Sequence, residues 1–228
     1  MKSYLIIVAI CLLSPVMASA ELSLPNIFSD HMVLQRERTA SIWGTATPGS
    51  RVRIDFKGQQ TSVDTNTDGH WRVGVPTGEA DGKGATLTIQ SGSQTVAIKD
   101  VMVGEVWLAS GQSNMVFSMN RVPAYAEIIA TSAHPGIRMF NAQGVTAVEP
   151  QNDIEGQWSI CNPASVPGYS AVAFFFARKL HEELGVPIGV IKSAWGGKPV
   201  ETFTSREALL TLPETKALVE ATLKADAA

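Results

Sequence analysis

Val103-Gly104-Glu105-Val106-Trp107-Leu108-Ala109-Ser110-Gly111-Gln112-Ser113-Asn114-Met115 joins an apolar run to a turn of small residues. From Val103 to Leu108 the run is nearly continuous rather than alternating. That is the pattern of a strand buried on both faces, as in the parallel sheet of an α/β domain. Ser113 then stands at the carboxyl end of the strand, where a helix begins. Ligands of open α/β sheets bind outside the carboxyl ends of strands, and the first N–H groups of a helix have no intrahelical partner. A serine so placed can attack a carbonyl while its own N–H stabilises the oxyanion. It also needs a base within hydrogen-bond reach and a group to orient that base, and this stretch supplies neither. On four residues alone, Gly111-Gln112-Ser113-Asn114 reads more often as a plain helix N-cap.

Downstream, a second apolar strand is expected over Val186 to Ile191, and a third near Ile137 to Phe140. The clearest helix runs from about Ser170 to Leu184: Ser170 can cap its start, and Gly185 with Pro187 stops it. Val172, Phe176, Leu180 and Leu184 recur every four residues and predict the stripe that covers the sheet. Ser193-Ala194-Trp195-Gly196-Gly197-Lys198-Pro199 follows a strand and so shares a sheet edge with Ser113. Its paired glycines let a backbone N–H come close to an oxyanion, although such a pair is more often only a turn. From Ser205 the pattern is helical, with Pro213-Glu214 starting a second helix. Two or three parallel strands bury too little for a finished domain, so residues 101–228 read as an α/β domain truncated at its C-terminus.

Upstream, from about Leu24 to Asp100, apolar residues alternate: Val52, Ile54, Phe56; Trp71, Val73, Val75; Leu87, Ile89; Val96, Ile98. Period two means strands with one buried face. Pro48-Gly49, Asp68-Gly69 and Gly82-Lys83-Gly84 read as the turns between them. Residues 21–100 are therefore expected to form a small β-sandwich.

The first twenty residues carry Lys2, an apolar run from Tyr4 to Leu13 and Met17-Ala18-Ser19-Ala20, the three regions of a secretory signal peptide. The run is too short to span a bilayer of about 30 Å, so no stable membrane insertion follows cleavage, and the protein is expected to be secreted or periplasmic from Glu21 onward. Loss of Lys2 takes the net charge from −3 to −4, and no basic stripe suggests nucleic acid. Cys11 would leave with the signal. Cys161 then remains as the single cysteine, most simply a small buried hydrophobe.

Leu24-Pro25-Asn26-Ile27-Phe28-Ser29-Asp30-His31-Met32-Val33-Leu34-Gln35-Arg36, Ile42-Trp43-Gly44 and Pro48-Gly49 resemble the opening of sialate O-acetylesterases. Val103 to Met115 resembles the nucleophile block of that family, Ser170 to Leu184 its following helix, and Gly189 to Phe203 its second active-site block. The resemblance implies an SGNH hydrolase that deacetylates O-acetylated sugars, with no metal or organic cofactor. It implies Ser113 as nucleophile, the N–H groups of Ser113 and of Gly197 or Gly196 at the oxyanion, and Gln112 shaping the turn. The family usually has threonine at the position of Lys198 and tryptophan at that of Phe203. Its later Gln-Gly-Glu block and its C-terminal Asp-x-His segment, the source of acid and base, do not occur before Ala228.

None of His31, His70, His134 and His181 follows an aspartate in the family's context, so each reads as structural and general base and acid are expected from none of them. The expected activity of this chain alone is near background. Two alternatives stay open: a non-catalytic carbohydrate-binding module, or the same chemistry on an acetylated xylan. For a binding surface Trp158 and Trp195 are the best-placed aromatics, while Trp43, Trp71 and Trp107 read as core. The sequence sets no oligomeric state.

Overall fold

A computed structural model describes residues 21–147 and 149–226. The signal-peptide pattern and Cys11 lie outside the described residues. In chain order the elements are β1 (Val33–Gln35), β2 (Thr39–Thr45), β3 (Arg51–Phe56), β4 (Gln59–Asp64), β5 (His70–Pro76), β6 (Asp81–Ser91), β7 (Gln94–Gly111), α1 (Ser113–Val116), α2 (Ala126–Ala130), β8 (His134–Asn141), β9 (Trp158–Cys161), α3 (Ala171–Leu184), β10 (Ile188–Ala194), α4 (Arg206–Leu210) and α5 (Pro213–Asp226). The strands form an eight-stranded mixed sheet in the order β4-β3-β6-β7-β10-β8-β9, with β1 paired to β7, and a separate pair β2-β5.

The alternation of the first segment is borne out in its burial. Val52, Ile54, Phe56, Leu87, Ile89 and Ile98 are buried on one face of the large sheet, and Ile42, Trp71 and Val75 of β2 and β5 close over them in one core. Gly82-Lys83-Gly84 is not a turn but part of β6, where the register against β7 shifts between Asp81 and Ala85. The Asp81 side chain accepts from the Lys83 N–H at 2.9 Å, so the extra residues are absorbed as an irregularity within the strand.

β7 is the element that ties the chain together. Its first half pairs antiparallel with β6, and residues 105–111 pair parallel with β10, which pairs parallel with β8. The change of pattern near residue 100 falls inside this strand. The two segments share a strand and also a core, because Phe140, Ala142 and Trp158 pack with the buried residues of the first segment. A buried guanidinium reinforces the junction: Arg138 of β8 donates to Asp100 Oδ2 at 2.6 Å and to the Pro135 carbonyl at 2.8 Å, and His31 Nδ1 meets the same Asp100 oxygen at 2.7 Å.

α3 has the expected caps. The Ser170 hydroxyl accepts from the Ala173 N–H at 3.3 Å, and Gly185 ends the helix at φ 65°. Its buried face, however, is not the predicted stripe. Ala171, Ala173, Phe174 and Ala177 pack on Ala109, Met139 and Val190 of the sheet, whereas Val172 and Phe176 are 49% and 42% exposed. Alanines let the helix axis approach the strands closely; of the four-residue repeat, Val172, Phe176 and Leu184 are turned outward and Leu180 packs at the margin of the core. Phe176 meets Trp107 edge to face at 5.2 Å. β7 likewise is not covered on both faces: Leu108 is 68% exposed, and among the described residues no strand pairs with the second edge of residues 105–111.

Candidate active site

The turn after β7 is built as its sequence suggests. Gly111 takes φ 140°, Gln112 precedes α1, and Ser113 opens that helix with its side chain exposed. The carbonyls of Gln112 and Ser113 accept the Val116 and Phe117 N–H groups at 3.0 and 2.9 Å, which leaves the N–H groups of Ser113 and Asn114 without intrahelical partners. The short helix is pinned to the start of α3 by Ala171 N–H to Phe117 carbonyl at 2.8 Å and Met119 N–H to Tyr169 carbonyl at 3.0 Å.

The loop after β10 lies against this turn. The Trp195 N–H donates to the Gly111 carbonyl at 3.0 Å, and the Gln112 side-chain amide donates to the Lys198 carbonyl. A Cβ placed on Gly196 would stand 3.7 Å from Ser113 Oγ, so the Gly196 backbone faces the hydroxyl directly. Gly197 holds φ 76°, a conformation that favours glycine. Ser113, Gln112, Gly196 and Gly197 are thus brought together at one sheet edge. Lys198 folds its ammonium over the Trp195 ring at 4.3 Å, and Phe203 lies in a 3-10 turn, Val200–Phe203, farther along the loop.

One polar residue of this edge carries no local motif. Lys192 pairs in register with Ala109 on one side and Asn141 on the other, and its ammonium donates to Asn141 Oδ1 at 3.0 Å. Desolvation by burial lowers its pKa. Lys192 sits inside an otherwise apolar strand, and only strand register sets it beside Asn141.

The histidines are engaged elsewhere. His31 bonds to Asp100, which precedes Gly111 by eleven residues of β7; at about 3.3 Å per residue that is on the order of 35 Å of strand. His70 pairs with Thr45 in the small sheet. His134 starts β8 at the end opposite Asn141, and burial first, then the Arg178 charge, lowers its pKa. His181 Nδ1 lies 2.7 Å from the Val186 carbonyl, before β10 begins. Among the described residues no side chain is hydrogen-bonded to the Ser113 hydroxyl, and no group of three or more His, Cys, Asp or Glu could hold a metal ion.

The aromatic expectations are partly reversed. Trp158 is 6% exposed, with Nε1 donating to the Ile27 carbonyl at 2.8 Å, and so belongs to the core. Trp107 is 44% exposed. Trp195 is half-buried against Gly144 at the candidate site. Cys161 is buried as expected, and burial pushes its thiol up to about 11. No helix among the described residues is long and apolar enough to cross a membrane.

No family model matches the chain. Sialate O-acetylesterases of Rattus norvegicus and Homo sapiens are each 33% identical to it over 204 residues, 81% of this chain. The match covers 38% and 39% of those proteins, so the chain spans about two fifths the length of the curated relatives it matches. The crystal structure of a novel carbohydrate acetylesterase from Xanthomonas citri superposes with a TM-score of 0.80 at 31% identity, covering 86% of this chain and 45% of that one. The mixed eight-stranded sheet with its helices fits the α/β hydrolase-like fold of such esterases.

Proposed function

From a resemblance to sialate O-acetylesterases that runs through 81% of the chain, we propose that this protein is a carbohydrate O-acetylesterase with Ser113 as its nucleophile. The observation that carries the reading is the pairing of an exposed serine at the start of α1 with the Gly196 backbone facing its hydroxyl, the Cβ position being 3.7 Å away.

In this reading Ser113 Oγ attacks the acetyl carbonyl carbon and loses its proton as the C–O bond forms. The carbonyl oxygen becomes an oxyanion, which the N–H groups of Ser113 and of Gly197 or Gly196 stabilise. Collapse breaks the ester bond, the sugar oxygen takes a proton and leaves, and an acyl-serine remains. Water then attacks the acyl-serine, releasing acetate and restoring the hydroxyl. Gln112 serves by holding the Lys198 carbonyl and so fixing the glycine loop against the turn.

Both steps need a proton acceptor, and His31, His70, His134 and His181 are placed away from Ser113. The chain by itself therefore works near background, retaining at most the ~10³ to 10⁴ over water that oxyanion binding and positioning give. The pattern in residues 1–20 supports export, to the periplasm or beyond the cell.

The test is chemical rescue. Acetate release from O-acetylated sialic acid and from acetylated xylan is measured with the chain and with Ser113→Ala, with and without added imidazole as an external base. A rate that rises with imidazole in the parent and not in Ser113→Ala is the expected result. Equal rates for the two proteins under all conditions would sink the serine mechanism.

A further inference from the structure

A cleft of about 730 Å³ opens at the carboxyl end of β8 and the start of β9, away from Ser113 and the glycine loop. Its walls include Asn141, Gln143, Glu155, Gln157, Ser159 and Tyr169, and among the described residues no lysine, arginine, histidine or aliphatic side chain lines it. The volume lies in the range of small-molecule sites, and the wall offers more polar than apolar surface. Amides and hydroxyls both donate and accept, which is what the vicinal hydroxyls of a sugar require.

The groups are preformed and partly unused: Asn141 Oδ1 accepts from Lys192, and Ser159 and Tyr169 bond each other, while the Gln143 and Gln157 amides stay open. Backbone bonds from the Asn141 N–H to the Gln157 carbonyl at 3.3 Å and from the Gln143 N–H to the Glu155 carbonyl at 2.8 Å fix the two lips against each other. The Tyr169 hydroxyl is held at the rear by Ser159 Oγ at 2.9 Å. Among the described residues the side chains of Gln143, Glu155 and Gln157 make no hydrogen bond within the chain. Among the described residues of the wall the one charge, Glu155, disfavours an anionic unit.

Position gives the rest. Ser113 follows β7, and Asn141 ends β8 with β10 between them. Two strand spacings are about 10 Å, more than one sugar ring spans. We propose that the cleft is a glycan subsite that takes an uncharged sugar unit of an oligosaccharide whose acetylated unit lies at Ser113. The substrate is then an acetylated oligosaccharide or polysaccharide rather than a free acetylated monosaccharide. The acetyl position rests on the function proposed above; the subsite itself does not.

The experiment is a nitrogen-15 titration of the full chain, following the side-chain amide signals of Asn141, Gln143 and Gln157. Xylotriose and cellotriose are the neutral probes, xylose and glucose their monosaccharide controls, and sialyllactose the anionic one. At least one neutral trisaccharide is expected to shift these signals saturably, roughly tenfold more tightly than its monosaccharide, the worth of about one added hydrogen bond. Gln143→Ala with Gln157→Ala, both exposed positions, should weaken that binding by roughly tenfold and leave the backbone spectrum intact. The proposal is overturned by an absence of saturable shifts with both neutral trisaccharides. Monosaccharide binding as tight, stronger binding of sialyllactose, or an undiminished affinity in the double variant overturns it equally. Ser113→Ala should bind as the parent does. Binding without Ser113-dependent hydrolysis in the presence of imidazole removes the esterase reading alone, and such imidazole-rescued hydrolysis without trisaccharide binding removes the subsite alone.

Discussion

Replacing Asp100 by asparagine should destabilise the fold by about 1–3 kcal/mol. Arg138 is 2% exposed, and Asp100 Oδ2 at 2.6 Å is its carboxylate partner; the Pro135 carbonyl at 2.8 Å and the Met102 sulfur at 3.6 Å complete its contacts. Stripping one partner from a buried ion pair costs about 3–5 kcal/mol because a charge is left uncompensated. The Asp100 side chain is 31% exposed, so water screens part of that charge, and asparagine keeps one acceptor oxygen; both reduce the figure. Asparagine also isolates the charge from the backbone, since Asp100 holds φ 55° and asparagine tolerates that region where alanine would add roughly 1 kcal/mol or more of strain. Urea unfolding followed by tryptophan fluorescence would read the change as a lower midpoint at constant slope. Adding Arg138→Met in the Asp100→Asn background removes the unpaired cation and should restore part of the loss. An Asp100→Asn midpoint indistinguishable from the parent's would refute the clamp. The pH dependence gives a second readout. Burial pushes the Asp100 carboxyl up, but hydrogen bonds from Arg138 and His31 outweigh it and hold the group below its ordinary value of 3.8. Its folded pKa being the lower one, its contribution is present above pH ~4 and is lost as pH falls through the folded value. The Asn variant should lack that part of the acid slope.

Gly196→Ala should leave stability within about 0.5 kcal/mol, because its Cβ meets Ser113 Oγ at an ordinary 3.7 Å, yet remove the imidazole-rescued hydrolysis by filling the acyl position. Gly197→Ala should do the reverse: the added Cβ meets nothing within 4 Å, but φ 76° costs it roughly 1–2 kcal/mol, measurable in the same urea titration. Leu108 and Trp107 on the unpaired edge of β7 should make the chain self-associate, and Leu108→Lys should shift its gel-filtration elution toward the monomer; elution unchanged by the substitution would refute the edge as the cause. Cys161, 1% exposed with its thiol pushed up to about 11, should react with a disulfide reagent only after urea unfolds the protein.

What the sequence disclosed follows from how local each signal is. The strand from Val103, the capped helix from Ser170 to Gly185 and the Ser113 turn depend on residues adjacent in the chain, and all three are present. The face of α3 was misread because Val172 and Phe176 outweigh Ala173 and Ala177 in apolar bulk, while the sheet selects the side that allows close approach. Trp158 reads as sugar-facing because it falls outside the strand patterns, yet β9 turns its ring into the shared core. Lys192 and the cleft had no signal in the chain at all. Lys192, Asn141 and Gln157 are far apart in sequence, and only the register of β10, β8 and β9 brings them into one row.

That row also explains why the sequence could name a nucleophile more easily than a substrate. The proposed chemistry is confined to two loops, after β7 and after β10, whose glycines and serine must stand next to each other and therefore leave compact patterns. A glycan is long, and whatever holds it must be spread across the sheet edge, one side chain or two from each strand. At about 4.8 Å per strand, each step from Ser113 to Lys192, to Asn141, to Gln157 changes the chemistry in contact with the ligand, from hydroxyl to cation to uncharged amide. Lys192 is a cation one strand from β7, and its bonded partner is a neutral amide, so an acidic unit bound along this sheet edge would meet it. An uncharged unit suits the cleft beyond. Lys192→Gln in the imidazole-rescued assay separates the two zones: it should lower the rate on O-acetylated sialic acid several-fold, about the worth of one charge-assisted hydrogen bond, and leave the rate on acetylated xylan unchanged. An equal loss on both substrates would mean that Lys192 supports the sheet edge and does not read the sugar.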